Sequence, residues 1–175
     1  LIHPSDEQAT ALLAQYLFSA GQIETLNNLL VTIHEDNFGS EPERISIKRV
    51  RANLLAQAGA YDQAFKLFDS FNELEKSDIE FIKNQKLLAE MYFLKGESER
   101  SIKILQQLKL THPLPATDVL NLGLNSDLVQ YYDRVGNFKA AMALTQENIK
   151  AFGDILGEEH PDLGLAYNSL SVFQR

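Results

Sequence analysis

Four glycines fall at nearly even intervals along the chain: Gly21, Gly59, Gly96 and Gly136, spaced by 38, 37 and 40 residues. Each follows one apolar helical run and precedes another, in FSAGQIETL, AQAGAYDQA, FLKGESERS and DRVGNFKAA. The flanks repeat with them. Seven residues before each glycine stand Ala14, Ala52, Ala89 and Val129, and four before it Leu17, Leu55, Tyr92 and Tyr132. Two after it come Ile23, Tyr61, Ser98 and Phe138, five after it Leu26, Ala64, Ser101 and Ala141, and nine after it Leu30, Phe68, Leu105 and Thr145.

A repeat of this kind calls for a helical hairpin. Glycine adopts the left-handed conformation that ends a helix and lets the chain reverse within a few residues. The small residues seven before and five after the turn are then expected where the paired helices approach most closely. The residue two after the turn is expected to plug the end of the hairpin.

The pattern resembles the tetratricopeptide repeat (TPR), most closely in AGAYDQAFKLF, residues 58–68. The copy around Gly21 is degenerate, with Leu26 in place of the small residue. The period exceeds the usual 34 or so of that family. Arg51 stands where a large residue is usual, eight before the glycine. The resemblance implies an all-α fold, a right-handed superhelical solenoid of antiparallel hairpins with about four and a half repeats. First helices are expected at about 5–20, 43–58, 78–95, 117–135 and 161–175, and second helices at about 22–36, 61–74, 98–110 and 138–153. The corresponding repeats are about 4–40, 41–76, 77–113, 114–157 and a half repeat at 158–175, one array in all. FGSEPE (38–43) and HPLPA (112–116) read as linkers within it.

The last nineteen residues, GEEHPDLGLAYNSLSVFQR, carry the same register. His160-Pro161 precedes Leu170 by the interval that separates His3-Pro4 from Leu13. The next turn glycine would fall at 178, so the segment reads as a first helix without its mate. An apolar stripe of Leu163, Tyr167 and Leu170 on it would suit association with a second copy or a partner helix. ILGEEHPDLGLAYNSLS also resembles the inter-repeat junction of kinesin-light-chain-type repeats and of bacterial signalling proteins with C-terminal arrays. The chain lacks an initiating Met, and it reads as part of a larger protein.

Charge narrows the partners. The net charge is −8, with acidic residues spread along the chain, and no basic stripe offers a nucleic-acid surface. No run of apolar residues approaches the length of a membrane span. There is no Cys, hence no disulfide and no thiolate metal site. The His-Pro pairs at His3, His112 and His160 lie too far apart for ligand spacing and read as helix-start devices. With no phosphate cradle and no nucleophile elbow, the sequence proposes no catalytic residue, no metal and no cofactor. A cytoplasmic location is expected, with the periplasm as the alternative.

Binding is better supplied. In a stack of hairpins the first helices line the inner wall. The resemblance places the residues about thirteen, ten, six and three before each glycine on that wall. The groove is thus expected to present Gln8, Ala11, Gln15 and Phe18, then Ser46, Arg49, Asn53 and Ala56. Lys83, Lys86, Glu90 and Phe93 follow, then Gly123, Ser126, Gln130 and Asp133, and finally Asn168. Arg49 and Asn53, one turn apart, suit a carboxylate or a peptide backbone. Lys83 and Lys86 extend a cationic patch within an acidic protein, which points to an acidic extended segment as ligand. The chaperone-tail carboxylate clamp does not fit, because Leu87, Gly123 and Asp127 stand where Asn and two basic residues would be required.

The expected function is a protein-interaction scaffold, a repeat segment of a signalling or regulatory protein that takes a peptide or partner segment in its groove. The alternative is a sensing array that controls an attached kinase or transcription-factor domain.

Overall fold

Each of the four glycines sits at positive φ, 68°, 78°, 91° and 73° in chain order, and each ends a helix. At Gly21 the glycine amide donates to the Phe18 carbonyl at 3.0 Å and the next amide, Gln22, to Leu17 at 2.9 Å. The same two bonds recur at Gly59, Gly96 and Gly136. This is the paired closure that satisfies the last carbonyls of a helix while reversing the chain. The bond that spans more of the chain ends on the backbone carbonyl of the residue four before each glycine.

The structure is a computed structural model, and it describes residues 4–33, 38–72 and 77–157. Among the described residues eight helices follow in order: α1 (Pro4–Ser19), α2 (Ile23–Thr32), α3 (Glu41–Gln57), α4 (Tyr61–Asn72), α5 (Asp78–Leu94), α6 (Ser98–Thr111), α7 (Val119–Arg134) and α8 (Phe138–Leu156). Among the described residues there is no strand. The architecture is all-α, a helical-repeat fold of the solenoid class. The half repeat expected at 158–175, with Asn168, the Leu163–Tyr167–Leu170 stripe and most of the junction motif, lies outside the described residues.

The chain divides into two compact units, Leu1–Lys76 and Ser77–Arg175, and the division falls at the expected join between the second and third repeats. In the first unit α1 packs on α2 and on α3, and α3 packs on α4. Its core runs through Ala11, Ala14 and Leu17 of α1, Leu26 and Leu30 of α2, and Ile47 and Val50 of α3. In the second unit α6 packs between α5 and α7, and α8 closes on α7. Ile82, Ala89, Ile102, Leu105, Leu108, Leu124, Leu128 and Tyr131 form that core.

The hairpin positions behave largely as their chemistry demands. Ala14, Ala52 and Ala89 are fully buried, as are Leu26, Ala64, Ser101 and Ala141 five after the turns. The plug expected two after the turn is corrected: Ile23 and Phe138 are exposed, Tyr61 is half-buried, and only Ser98 is enclosed. Each is the first residue of its second helix, so it stands at the turn end of the hairpin, beyond the stretch where the two helices face each other.

Boundaries follow local chemistry. Ser77, Asp118 and Asn137 each accept a backbone N–H two or three residues on, starting α5, α7 and α8. Pro42 stands at the first turn of α3, where its missing N–H costs nothing. Gly157, at φ 87°, ends α8. The second helix α2 stops at Thr32, earlier than the expected 36. There Arg51 of α3 extends one guanidinium nitrogen to the carbonyls of Leu30 and Ile33, at 3.0 and 2.9 Å. A cation on the last carbonyls is favourable at the negative end of a helix. The residue that broke the repeat pattern is thus the one that ties α3 to the end of α2.

Candidate interaction face

First-helix residues were expected to line a wall, and within each unit the structure brings some of them together. In the first unit the Gln15 side-chain amide donates to the Ser46 hydroxyl, joining α1 to α3. Ser46 and Asn53 are buried, and Asn53 accepts from the Gln57 amide at 3.4 Å. Arg49 is half-buried on the same helix. Much of this face is therefore occupied in holding α1 against α3, and Gln15 and Gln8 are its exposed members.

In the second unit the face is built by α5 and α7. Lys86 meets Asp127 at 2.6 Å across the two helices. Gly123 lies one turn before Asp127, and the Lys86 side chain passes over it, with its Cε at an ordinary contact distance of 3.5 Å from where a Cβ would stand. Lys83 pairs with Glu80 at 2.9 Å on its own helix. Both expected cations thus carry a carboxylate already. Phe93 of α5 stacks on Tyr131 of α7 with centroids 4.4 Å apart, and the Arg134 guanidinium lies 5.5 Å from the Phe93 ring centre. Glu90 is half-buried, whereas Ser126, Gln130 and Asp133 are exposed.

Burial shapes the titration of this face. It pushes the Asp127 carboxyl above its ordinary 3.8, against the opposing pull of Lys86. It raises the Tyr131 phenol further still, helped by the negative charges of Asp127 and Glu90. Charge is held on this face chiefly by pairing.

Two features escaped the sequence reading. One is a buried polar ladder through the second unit. Lys109 of α6 donates to the Asn125 carbonyl oxygen, and Asn125 donates to Asn148 of α8 at 3.0 Å. Asn148 in turn reaches the Ser126 hydroxyl at 3.4 Å. The other is an open cleft of about 1060 Å³ on the second-helix side of the first unit, walled by Leu30, Val31, Ile33, Arg51, Leu54 and Leu67. The shortness of α2 was the missing signal for the cleft; nothing in the periodicity marks which asparagines are interior.

Among the described residues no three His, Asp or Glu side chains gather as a metal site requires, and no helix is long and apolar enough to cross a membrane.

Helical hairpins with these turns and this register can be set beside solved structures. A kinesin-light-chain-like protein of Podosopora anserina with nearly identical TPR-like repeats superposes at a TM-score of 0.66, with 21% identity, over 99% of this chain and 87% of that one. This chain has the TPR-like fold. A point variant of the same protein agrees equally well. BtubC (BKLC) from P. vanneervenii superposes at 0.60 with 15% identity, over 97% of this chain and 63% of the other. No protein-family model and no curated protein matches the TPR-like chain.

Proposed function

We propose that the chain is a protein-interaction scaffold, and that its first-helix faces receive an extended segment of a partner protein. The observation that carries this is the α5–α7 face, where side chains from two successive first helices converge around a glycine. Ser126, Gln130 and Asp133 stand exposed there beside Phe93 and the Lys86–Asp127 pair. The exposed Gln130 amide offers a donor and an acceptor to a peptide backbone.

The preference for acidic segments takes a specific form. A partner carboxylate would exchange for Glu80 at Lys83 or for Asp127 at Lys86, so the gain in charge pairing is a difference between two pairs. The partner's acidity then sets selectivity and encounter rate more than affinity. The array is read as one interaction module rather than as an enzyme.

A library of extended peptides graded in acidic content, titrated against the intact chain by fluorescence anisotropy, tests this. Saturable binding that strengthens with acidity and weakens in Lys86→Glu and Arg49→Glu supports it. Unchanged affinity in both variants removes the acidic preference. Absence of saturable binding to every peptide removes the scaffold-groove reading itself.

A further inference from the structure

Arg134, in the last turn of α7, is an exposed cation of the α5–α7 face that pairs with no carboxylate among the described residues. What holds it is a ring. Its guanidinium lies over Phe93 of α5, and Phe93 stacks on the buried ring of Tyr131, with centroids 4.4 Å and planes 24° apart. A guanidinium attracted to the face of a ring keeps its fork of N–H donors for another acceptor. Arg100 shows the contrast. It lies 3.9 Å from the centre of the Tyr92 ring, but Glu97 already meets its guanidinium at 3.4 Å. The cations expected on the α5–α7 face are taken as well, Lys83 by Glu80 and Lys86 by Asp127. Gln130, one turn before Arg134 and also exposed, presents its amide on the same side of α7.

We infer that Arg134 is the residue of this face that reads a carboxylate of the bound segment, with the Gln130 amide as a second donor. This role presupposes that the face takes an extended segment, as proposed, and names the residue that selects it. A carboxylate arriving at Lys83 or Lys86 displaces one the protein already holds, so the pairing gained is offset by pairing lost. At Arg134 no displacement is needed, and a guanidinium supplies the bidentate geometry that an ammonium lacks. The ring stack also restricts this long side chain before binding, which lowers the ordering cost of gripping a ligand. Surrounding charge fixes the register. Asp133 stands exposed beside Arg134, and Glu90 is half-buried one turn before Phe93. Elsewhere on the face a carboxylate meets one of these acids or an occupied lysine. The same two acids favour a singly charged carboxylate over a phosphate group, whose second charge they oppose.

The probes are extended peptides of uncharged residues, acetylated and amidated, with a single Glu or a single Gln at each position in turn. A further pair has no acidic side chain and ends in a free carboxylate or an amide, which separates a side-chain carboxylate from a C-terminal one. Fluorescence anisotropy against the intact chain and Arg134→Gln reads the affinity of each carboxylate peptide relative to its neutral counterpart. At one position of the Glu, or at the free C-terminus, the carboxylate should bind about fivefold tighter. In Arg134→Gln that preference should vanish while the neutral peptides bind as before. A purely structural role for the Phe93–Arg134 contact would weaken both members of each pair alike and keep the preference, which overturns the proposal. A preference that survives in Arg134→Gln with affinity unchanged also overturns it, the carboxylate then resting on Lys83 or Lys86, and so does a wild-type chain with no preference anywhere. In each of these cases binding of the neutral peptides leaves the groove reading standing. Absence of saturable binding by every peptide removes the groove reading and the role of Arg134 with it.

Discussion

Lys86 on α5 reaches Asp127 on α7 at 2.6 Å, and the pair sits over the bare backbone of Gly123. Desolvation dominates the carboxylate, so its folded pKa lies above the 3.8 of an ordinary aspartate despite the adjacent ammonium. The consequence for stability has a definite sign. In the window from 3.8 up to that raised value the folded state binds more proton than the unfolded state, so Asp127's contribution falls as pH rises, and above the window the loss is complete. Asp127→Asn does not titrate. Urea unfolding of both proteins over a pH series should show the wild-type stability, measured relative to the variant, falling through the window and then levelling. A relative stability that rises with pH would mean that Lys86 outweighs burial at this site.

The Asn125–Asn148 contact joins α7 to α8 inside the second unit at 3.0 Å. Alanine at either position strands the other's amide away from water, at an expected cost of about 1–3 kcal/mol. The double alanine variant removes both partners of this contact at once, so it should lose less than the sum of the two single variants. Chemical denaturation of the four proteins checks this. Strict additivity would place the two side chains in separate environments.

The hairpins were legible because their signals are local. A glycine at positive φ, a small residue at most helix crossings and a mostly apolar position nine beyond the turn each report on a few neighbouring residues. The buried alanines and the four turn closures follow directly. The interaction face was legible only as a set of helix positions. That Lys86 is matched by Asp127, far along the chain, depends on how two helices abut, and no spacing within either helix encodes it. The Asn125–Asn148 contact has the same origin, since interior and surface asparagines look alike in a polar-rich helix. The end of α2 was misjudged because its terminator is not local either: it is Arg51, on the next helix.

Glu7 shows the same long reach. Its buried carboxylate accepts the backbone N–H groups of Gly39 at 3.0 Å and Ser40 at 3.1 Å, just ahead of α3. A negative charge is favoured there by the orphan amides and the helix dipole. Glu7→Ala should cost about 1–3 kcal/mol, and Glu7→Gln, which keeps one acceptor oxygen, should cost less. Hydrogen exchange at the first turn of α3 should quicken in the order wild type, Gln, Ala. Equal protection in all three would mean that Pro42 and the local chain start the helix unaided.

Arg51 offers the sharpest contrast between pattern and packing. Leucine stands at the equivalent place in the other copies, at Leu13, Leu88 and Leu128, so Arg51→Leu restores the repeat and improves its apolar register. It also leaves the Leu30 and Ile33 carbonyls without their guanidinium donor beside the open cleft. The two effects separate in measurement. Burial of the leucine holds global stability near the wild-type value, whereas amide exchange at the end of α2 accelerates and α4 is unaffected. Arg51→Lys keeps the charge, but its compact ammonium cannot reproduce the guanidinium's fixed fork, so it should restore only part of the lost protection. Unchanged exchange in α2 for both variants would show that the helix ends at Thr32 by its own backbone preference.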